Sequence, residues 1–137
     1  MRYARKISGP IVDRIDIWID VEQVEHKKLA SDNLAESSAD IRKRVEAARA
    51  IQQTRFQGTP LRSNSEIGAK EIKRFCGLEN TAAALLDKAA GELDLSARAY
   101  HRILKISRTI ADLEGSLQIK TAHLLEALQY RPKQTNT

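Results

Sequence analysis

The stretch LSARAYHRILKISRTIADL, residues 95–113, decides the fold of this 137-residue chain, because it has the pattern of one amphipathic helix. Its apolar residues recur at intervals of three and four, which places them on one face of a helix. They are Ala99, Tyr100, Ile103, Ile106, Ile110 and Leu113. Ser96 is a suitable N-cap, and Gly115 is a suitable stop. The sequence therefore predicts a helix over 96–113 with one face in a core.

Cations lie on another face of this predicted helix. They are Arg98, Arg102 and Lys105, with His101 and Arg108 close by. Arg98 falls in the first turn, where a cation opposes the helix macrodipole and costs about 0.3–1 kcal/mol. That cost is tolerable where the free N–H groups of the helix end and an arginine meet an anion. The residues alone leave three interpretations open: a solvated face, contact with a nucleic-acid backbone, or contact of Arg98 with a nucleotide phosphate.

The composition favours packed helices. Aromatic residues make up 4% of the chain and charged residues 30%, so a core must be built mainly from Ala, Leu and Ile. The net charge of +5 favours phosphate, nucleic acid or acidic partners, or else serves solubility alone. Cys76 is the only cysteine and is expected to be a core residue, which makes the cytoplasm the expected location. No stretch approaches the ~20 apolar residues of a membrane span, so no membrane partner is expected.

Helical patterns follow one another from residue 37 onward, and they predict an all-α bundle of about five helices. The predicted helices run over 37–57, 69–76, 80–93, 96–113 and 120–130. The expected apolar stripe of the first helix is Ile41, Val45, Ala48 and Ile51. The expected inward-facing residues of the third helix are Ala84, Leu85, Ala89 and Leu93. Residues 132–137 are expected to be a disordered tail.

Residues 15–21, IDIWIDV, alternate strictly in the pattern of a strand. No second convincing strand pattern occurs, and a lone strand leaves its backbone groups without partners. We therefore expect the chain to be a fragment whose residues 1–36 are a poorly ordered remnant of a larger domain. Arg14 lies just before this strand, between Asp13 and Asp16. It is either a turn residue neutralised by its neighbours or an arginine directed at a partner's phosphate.

Motifs for metal binding and for independent nucleotide binding do not occur in the sequence. The three histidines lie far apart, and no Cys, His or carboxylate spacing resembles a metal site. No GxxxxGK[ST] loop is present, so the chain alone is not expected to hold a nucleoside triphosphate. No pair of a nucleophile and a base stands out either. The sequence predicts no metal site and no catalysis by the chain alone.

Several separated segments resemble the magnesium-chelatase-like AAA+ ATPases, the family that includes the ComM-type competence proteins. SGPIVDRID, residues 8–16, is similar to the family signature SGPxLDRID, with Val12 where leucine is usual. Residues 95–115 resemble the C-terminal signature of the family. Residues 37–56 resemble its first C-terminal helix, and HLLEALQYR, residues 123–131, resembles its closing helix. The resemblance covers residues 3–131, and the motifs are specific in combination.

The resemblance implies an ATPase-core remnant over 1–36 followed by a helical lid over 37–131. Residues 15–21 would then be the last strand of a parallel sheet. Arg14 matches the arginine finger of the family, which reaches across a subunit interface to the γ-phosphate of ATP bound next door. Arg98 matches the sensor-2 arginine, which touches the γ-phosphate from the lid. Arg102 and Lys105 receive no role from the resemblance and stay candidates for solvent or nucleic-acid contact.

The resemblance further implies that the full-length protein is an ATPase that uses ATP with Mg. Its expected partners are copies of itself in a ring, expected to be a hexamer, and DNA, on which it would drive branch migration during natural transformation. The chain alone is expected to be inactive and to bind no cofactor tightly, because the Walker motifs of the family lie upstream. Two alternatives stay open: a DNA-binding module that uses its basic helix faces, and a protein-interaction bundle that docks on other subunits without touching phosphate.

Overall fold

A computed structural model describes residues 9–12, 14–21 and 35–132, and these ranges contain six α-helices and one short 3-10 helix. The helices are α1 (Gly9–Val12), α2 (Ser38–Arg55), α3 (Ile72–Phe75), α4 (Asn80–Glu92), α5 (Ala97–Glu114) and α6 (Thr121–Gln129). The 3-10 helix, Asn64–Glu66, is called the Asn64 turn below. No strand occurs in these ranges. The predicted all-α class is confirmed, and α2 to α6 are the five helices that the sequence predicts after residue 36.

Helix α5 lies at the centre of the bundle and packs against α2, α3, α6 and the Asn64 turn. Its ends are set by the two residues expected to set them. The Ser96 hydroxyl oxygen accepts a hydrogen bond from the Ala99 N–H at 3.1 Å. Gly115 ends the helix in the left-handed conformation at φ 75°. The predicted inward face is only partly correct: Ile103 is buried and Ile106 and Ile110 pack partly buried against the core, but Leu113 is 47% exposed. The buried side of the helix is rotated from the predicted one and includes Leu104 and Ala111.

The core is formed by apolar residues of α3 to α6, of the loops between them and of the segment between α2 and α3, and it includes Cys76 as expected. Its buried members are Phe56, Ile67, Ile72, Phe75, Cys76, Ala82, Leu86, Ile103, Leu104, Ala111, Ile119, Leu124 and Ala127. Each buried Leu, Ile or Phe side chain contributes about 1.5–3 kcal/mol. An isolated parallel bridge between Leu78 and Ile119 ties the loop before α4 to the loop before α6.

The apolar stripe of α2 is buried only in its C-terminal half. Ala48 is buried and Ile51 is half-buried, but Ile41 and Val45 are 43% and 48% exposed. The expectation that Ile41 and Val45 face the core was therefore wrong. A helix of 18 residues is about 27 Å long, and the neighbours of α2 in the described ranges cover only its second half.

The inward face of α4 also differs from the prediction. The buried residues are Ala82, Leu86 and Ala89, which are four and three positions apart. Ala84 lies two positions from both Ala82 and Leu86, which turns it to the opposite side of the helix, where it is exposed. Leu93 follows the last residue of α4 and is exposed as well. Of the four residues predicted to face inward, Ala89 is buried and Leu85 is partly buried against the core, so the prediction is correct for these two.

Residues 14–21, called the docked segment below, do not form the predicted strand. The Ile15 carbonyl oxygen accepts a hydrogen bond from Arg102 Nη1 at 2.9 Å, and the Trp18 N–H donates to the Tyr130 carbonyl oxygen at 2.9 Å. These backbone groups therefore bond to a side chain of α5 and to the end of α6. A strand requires a ladder of backbone bonds to a neighbouring strand, and the described residues do not provide one.

The division into a core remnant over 1–36 and a lid over 37–131 stays a prediction. Residues 1–8, 13, 22–34 and 133–137 lie outside the described residues, and they include most of the predicted remnant and of the predicted tail. Within the described part, no helix is both long and apolar enough to cross a membrane.

Candidate phosphate-binding cleft

A cleft of about 460 Å³ lies between the docked segment, the first half of α5 and the loop before α3. Among the described residues, its charged walls carry the cations Arg14, Arg98, Arg102 and Lys105 and one carboxylate, that of Asp16. The other lining residues are Ile67, Gly68, Ala69 and His101. The structure thus brings together all four site residues predicted from the sequence, although Arg14 is far from the others along the chain.

Three of the cations share the cleft because of their spacing on α5. Arg98, Arg102 and Lys105 are four and three positions apart, so their side chains form one row along the helix. Arg14 reaches the same cleft from the docked segment. Like charges gathered around one space repel one another, and a polyanion that enters the space relieves that repulsion.

The Arg14 and Arg98 side chains are the two cations of the cleft that remain available for a ligand. Both residues are exposed, and neither side chain forms a hydrogen bond or an ion pair with another residue of the described ranges. A guanidinium group has five N–H donors in a planar arrangement that matches phosphate oxygens. Arg98 also lies in the first turn of α5, where the helix dipole favours an anion.

Arg102 and Lys105 are engaged with the backbone of neighbouring segments. Arg102 Nη1 donates to the Ile15 carbonyl oxygen at 2.9 Å, which attaches the docked segment to α5. Lys105 Nζ donates to the Ser65 carbonyl oxygen at 3.1 Å, which attaches the Asn64 turn. The assignment of these two residues to nucleic-acid contact stays a prediction.

The chemistry of the lining residues fits the phosphate groups of ATP. The donors are guanidinium and ammonium groups, which bind phosphate as charge-assisted hydrogen-bond donors. The sequence has no GxxxxGK[ST] loop that would hold the phosphate chain from the other side. Among the described residues, no group of three or more His, Cys, Asp or Glu side chains could hold a metal ion.

Arg108 has a different place from the one its sequence position suggested. It lies close to the cationic row in the sequence, yet its side chain is only 2% exposed. Its Nε donates to Asp112 Oδ1 at 3.1 Å, and its Nη1 donates to the Leu117 carbonyl oxygen at 2.8 Å. Burial lowers the pKa of the Arg108 guanidinium, and the charge of Asp112 opposes that shift. The sequence did offer one sign of this burial. Arg108 is four positions after Leu104 and four before Asp112, so the three side chains lie on the same side of the helix.

Asp112 is the centre of a buried polar network that sequence reasoning missed. Its Oδ2 accepts hydrogen bonds from Arg55 Nη1 at 2.7 Å and from Asn64 Nδ2 at 2.8 Å. Arg55 Nη1 also donates to Asn64 Oδ1 at 2.9 Å. The network joins α2 and the Asn64 turn to α5. Because Lys105 holds Ser65 in that same turn, the network helps to fix the wall of the cleft.

The structure is thus a helical domain with a cationic cleft, formed by one face of its central helix and by the docked segment that carries Arg14. The chain belongs to the magnesium-chelatase-like AAA+ family. Residues 35–131 match the family described as magnesium chelatase, subunit ChlI C-terminal, and residues 1–29 match magnesium chelatase, subunit ChlI. The resemblance stated from the motifs is thereby confirmed.

Sequence similarity to individual proteins supports this assignment to the family. The chain is 46% identical over 132 residues to competence protein ComM of Haemophilus influenzae, which covers 96% of this chain and 25% of that protein. It is 38% identical over 132 residues to the uncharacterized protein YifB of Escherichia coli, with the same two coverages of 96% and 25%. The chain thus spans about a quarter of the length of these curated relatives.

Proposed function

We propose that this chain acts as the helical lid region of a ComM-type ATPase and that Arg14 and Arg98 contact the γ-phosphate of ATP. One observation carries the proposal: the two arginines that match the arginine finger and the sensor-2 residue line the same cleft. Neither side chain is bonded to another residue in the described ranges, so both are available to phosphate oxygens.

The chemical task of the two arginines is electrostatic. During phosphoryl transfer, negative charge spreads over the oxygens of the transferred group, and a positioned arginine stabilises that charge. An arginine finger contributes about 10³–10⁵ in rate. ATP with Mg supplies the phosphoryl group, and this chain supplies cations rather than the loop that holds the phosphates.

The shared cleft supports the proposal that both arginines serve one ATP site. Arg14, as an arginine finger, acts on ATP held by a neighbouring subunit, and Arg98 lines the same space. Arg98 therefore faces the same neighbouring ATP. In this proposal the protein works as a ring of copies, a hexamer, in which hydrolysis at each interface moves the lid.

The biological setting of the proposal comes from a relative. A protein that is 46% identical to this chain is named a competence protein. We place this chain in the same setting, where the motor would process DNA by branch migration during natural transformation. The cytoplasm is the corresponding location.

The proposal is tested in a chimera in which this chain replaces the matching quarter of the Haemophilus influenzae competence protein. Arg14→Ala should lower kcat for ATP hydrolysis by about 10³-fold or more. Arg98→Ala should lower it by about 10²–10³-fold, the effect of removing one donor to the transition state. Arg49→Ala is the matched control, because Arg49 is an exposed arginine of α2 outside the cleft. Retention of kcat within twofold by both cleft variants contradicts the proposal.

A DNA-binding module is the second candidate, and the exposed first half of α2 favours it. Arg42 and Lys43 are exposed there, whereas Arg44 is paired with Glu36 through Nη2 and Oε2 at 2.9 Å. Binding of labelled duplex or junction DNA would be measured as a function of salt concentration. A logarithmic slope of about −0.9 for each phosphate contact supports this candidate, and the absence of binding at low salt removes it.

The third candidate is a protein-interaction bundle. Ile41 and Val45 form an exposed apolar strip on the same half of α2 and are available to another subunit. This candidate is favoured over the ATPase lid if Arg98→Ala leaves ATP turnover by the chimera unchanged.

A further inference from the structure

Two hydrogen bonds attach the backbone of the docked segment to the helices of the bundle. In the described ranges its backbone is held by Arg102 Nη1 on the Ile15 carbonyl oxygen and by the Trp18 N–H on the Tyr130 carbonyl oxygen, both at 2.9 Å. Ile15 and Trp18 are half-buried, whereas Ile19 and Val21 further along the segment are 69% and 89% exposed. The Arg102 hydrogen bond thus holds the part of the segment that lies beside Arg14.

The Arg102 bond acts next to Arg14. The carbonyl oxygen that it holds belongs to the residue directly after Arg14, so the bond restrains the backbone from which the Arg14 side chain extends. Arg102 is also one turn of α5 away from Arg98, four positions along the helix. The same face of α5 thus carries Arg98 and Arg102. Arg102 restrains Arg14 through its hydrogen bond to the Ile15 carbonyl oxygen.

We propose that Arg102 is a positioning residue whose guanidinium clamps the docked segment to α5, so that Arg14 and Arg98 are held in the cleft as one unit. A cation that already donates to a carbonyl oxygen has a structural task, and this distinguishes Arg102 from Arg98. The consequence for ATP hydrolysis rests on the proposed function. The clamp itself does not.

Trp18 provides a direct reporter of the clamp. It is the only tryptophan of the chain, it lies in the docked segment, and it is half-buried. Arg102→Met retains most of the side-chain stem and removes the donors. In the 137-residue chain this variant should raise the acrylamide quenching constant of Trp18 at least about twofold and shift its emission to the red, since an undocked indole is more accessible to solvent.

Two further variants make the fluorescence result specific. Arg98→Met removes the same charge from the same row of α5 but no bond to the docked segment, so Trp18 quenching should not change. A backbone ester in place of the amide between Ile15 and Asp16 weakens the Ile15 carbonyl as an acceptor and leaves α5 intact. It should raise quenching as Arg102→Met does, and it serves as the test if Arg102→Met fails to fold.

The chimera separates the clamp from the proposed function. Arg102→Met should lower kcat by about 10²-fold, the effect of misplacing a catalytic group by about 1 Å. It should have no further effect in a chain that already carries Arg14→Ala. Unchanged Trp18 quenching in both Arg102→Met and the ester variant overturns the clamp, even if Arg14→Ala abolishes turnover. Release of Trp18 with normal turnover in both Arg102→Met and Arg14→Ala leaves the clamp in place and contradicts the proposed function.

Discussion

Replacing Asp112 by alanine removes the one anion from the buried network behind the cleft. The Asp112 carboxylate accepts hydrogen bonds from Arg55, Asn64 and Arg108. Without it, the Arg108 guanidinium stays buried with only the carbonyl oxygens of Ser116 and Leu117 as partners. Arg55 is less deeply buried than Arg108, so its charge can be partly hydrated after the change.

The expected loss of stability follows from these contacts. Removing one partner of a buried ion pair costs about 3–5 kcal/mol, because the other charge stays buried without compensation. Hydration of Arg55 reduces this figure, and the lost bond from Asn64 adds about 1 kcal/mol. We therefore expect Asp112→Ala to lower the free energy of unfolding by about 4 kcal/mol, a large part of the about 5–15 kcal/mol typical of a domain.

Urea unfolding followed by far-UV circular dichroism measures this change. Lys88→Ala is the control, because Lys88 and Glu92 form a surface pair whose side chains are 70% and 66% exposed. That variant should lose less than about 0.5 kcal/mol. In the double variant Arg108→Met with Asp112→Leu, the loss should be smaller than in Asp112→Leu alone, since no uncompensated Arg108 charge remains. An unfolding free energy of Asp112→Ala within about 1 kcal/mol of the parent chain refutes this reasoning.

Two further predictions concern single positions in the bundle. Gly115→Ala should destabilise the chain by about 1 kcal/mol in the same urea assay, because the backbone at Gly115 is left-handed with φ 75°; an unchanged midpoint contradicts the role of Gly115 as a helix stop. Burial raises the pKa of the Cys76 thiol to about 11, so the native thiol should react slowly with a thiol reagent at neutral pH. The thiol of the unfolded chain ionises at a lower pH than the thiol of the folded chain. The free energy of unfolding should therefore fall by up to about 3 kcal/mol as the pH rises from about 9 to about 11. The Cys76→Ala variant should lack this part of the pH dependence, and an equal dependence in both chains contradicts the assignment to Cys76.

Local signals predicted the helices well. The cap at Ser96, the stop at Gly115 and the periodicity between them define α5, because a helix begins and ends through contacts between residues close in sequence. The row of Arg98, Arg102 and Lys105 followed from the same spacing.

The errors arose where long-range contacts decide the outcome. The burial of Arg108, in contrast to the half-buried Arg102, depends on Asp112, which is close in sequence, and also on the loop after α5, whose position the local pattern does not predict. The alternation in residues 15–21 predicted a strand, but a strand requires a partner that no part of the segment can supply. The family signature singled out Arg14 and Arg98, but their placement in one cleft comes from the structure, since periodicity says nothing about residues so far apart in the sequence.

The most direct measurement uses mixtures of chimeric subunits, because Arg14 and Arg98 of one chain line one cleft and should act on the same ATP. Arg14→Ala subunits and Arg98→Ala subunits are mixed, and ATP hydrolysis is compared with that of each variant alone. For the positive control, each variant is mixed with subunits whose phosphate-binding loop, in the part taken from the relative, is inactivated. Those subunits still supply both arginines to a neighbour, so this mixture should recover hydrolysis. We predict that the first mixture is no more active than the average of its components, since every interface still lacks one arginine. Recovery of hydrolysis in that mixture would show that the two arginines act on different ATP molecules and would contradict the single shared site.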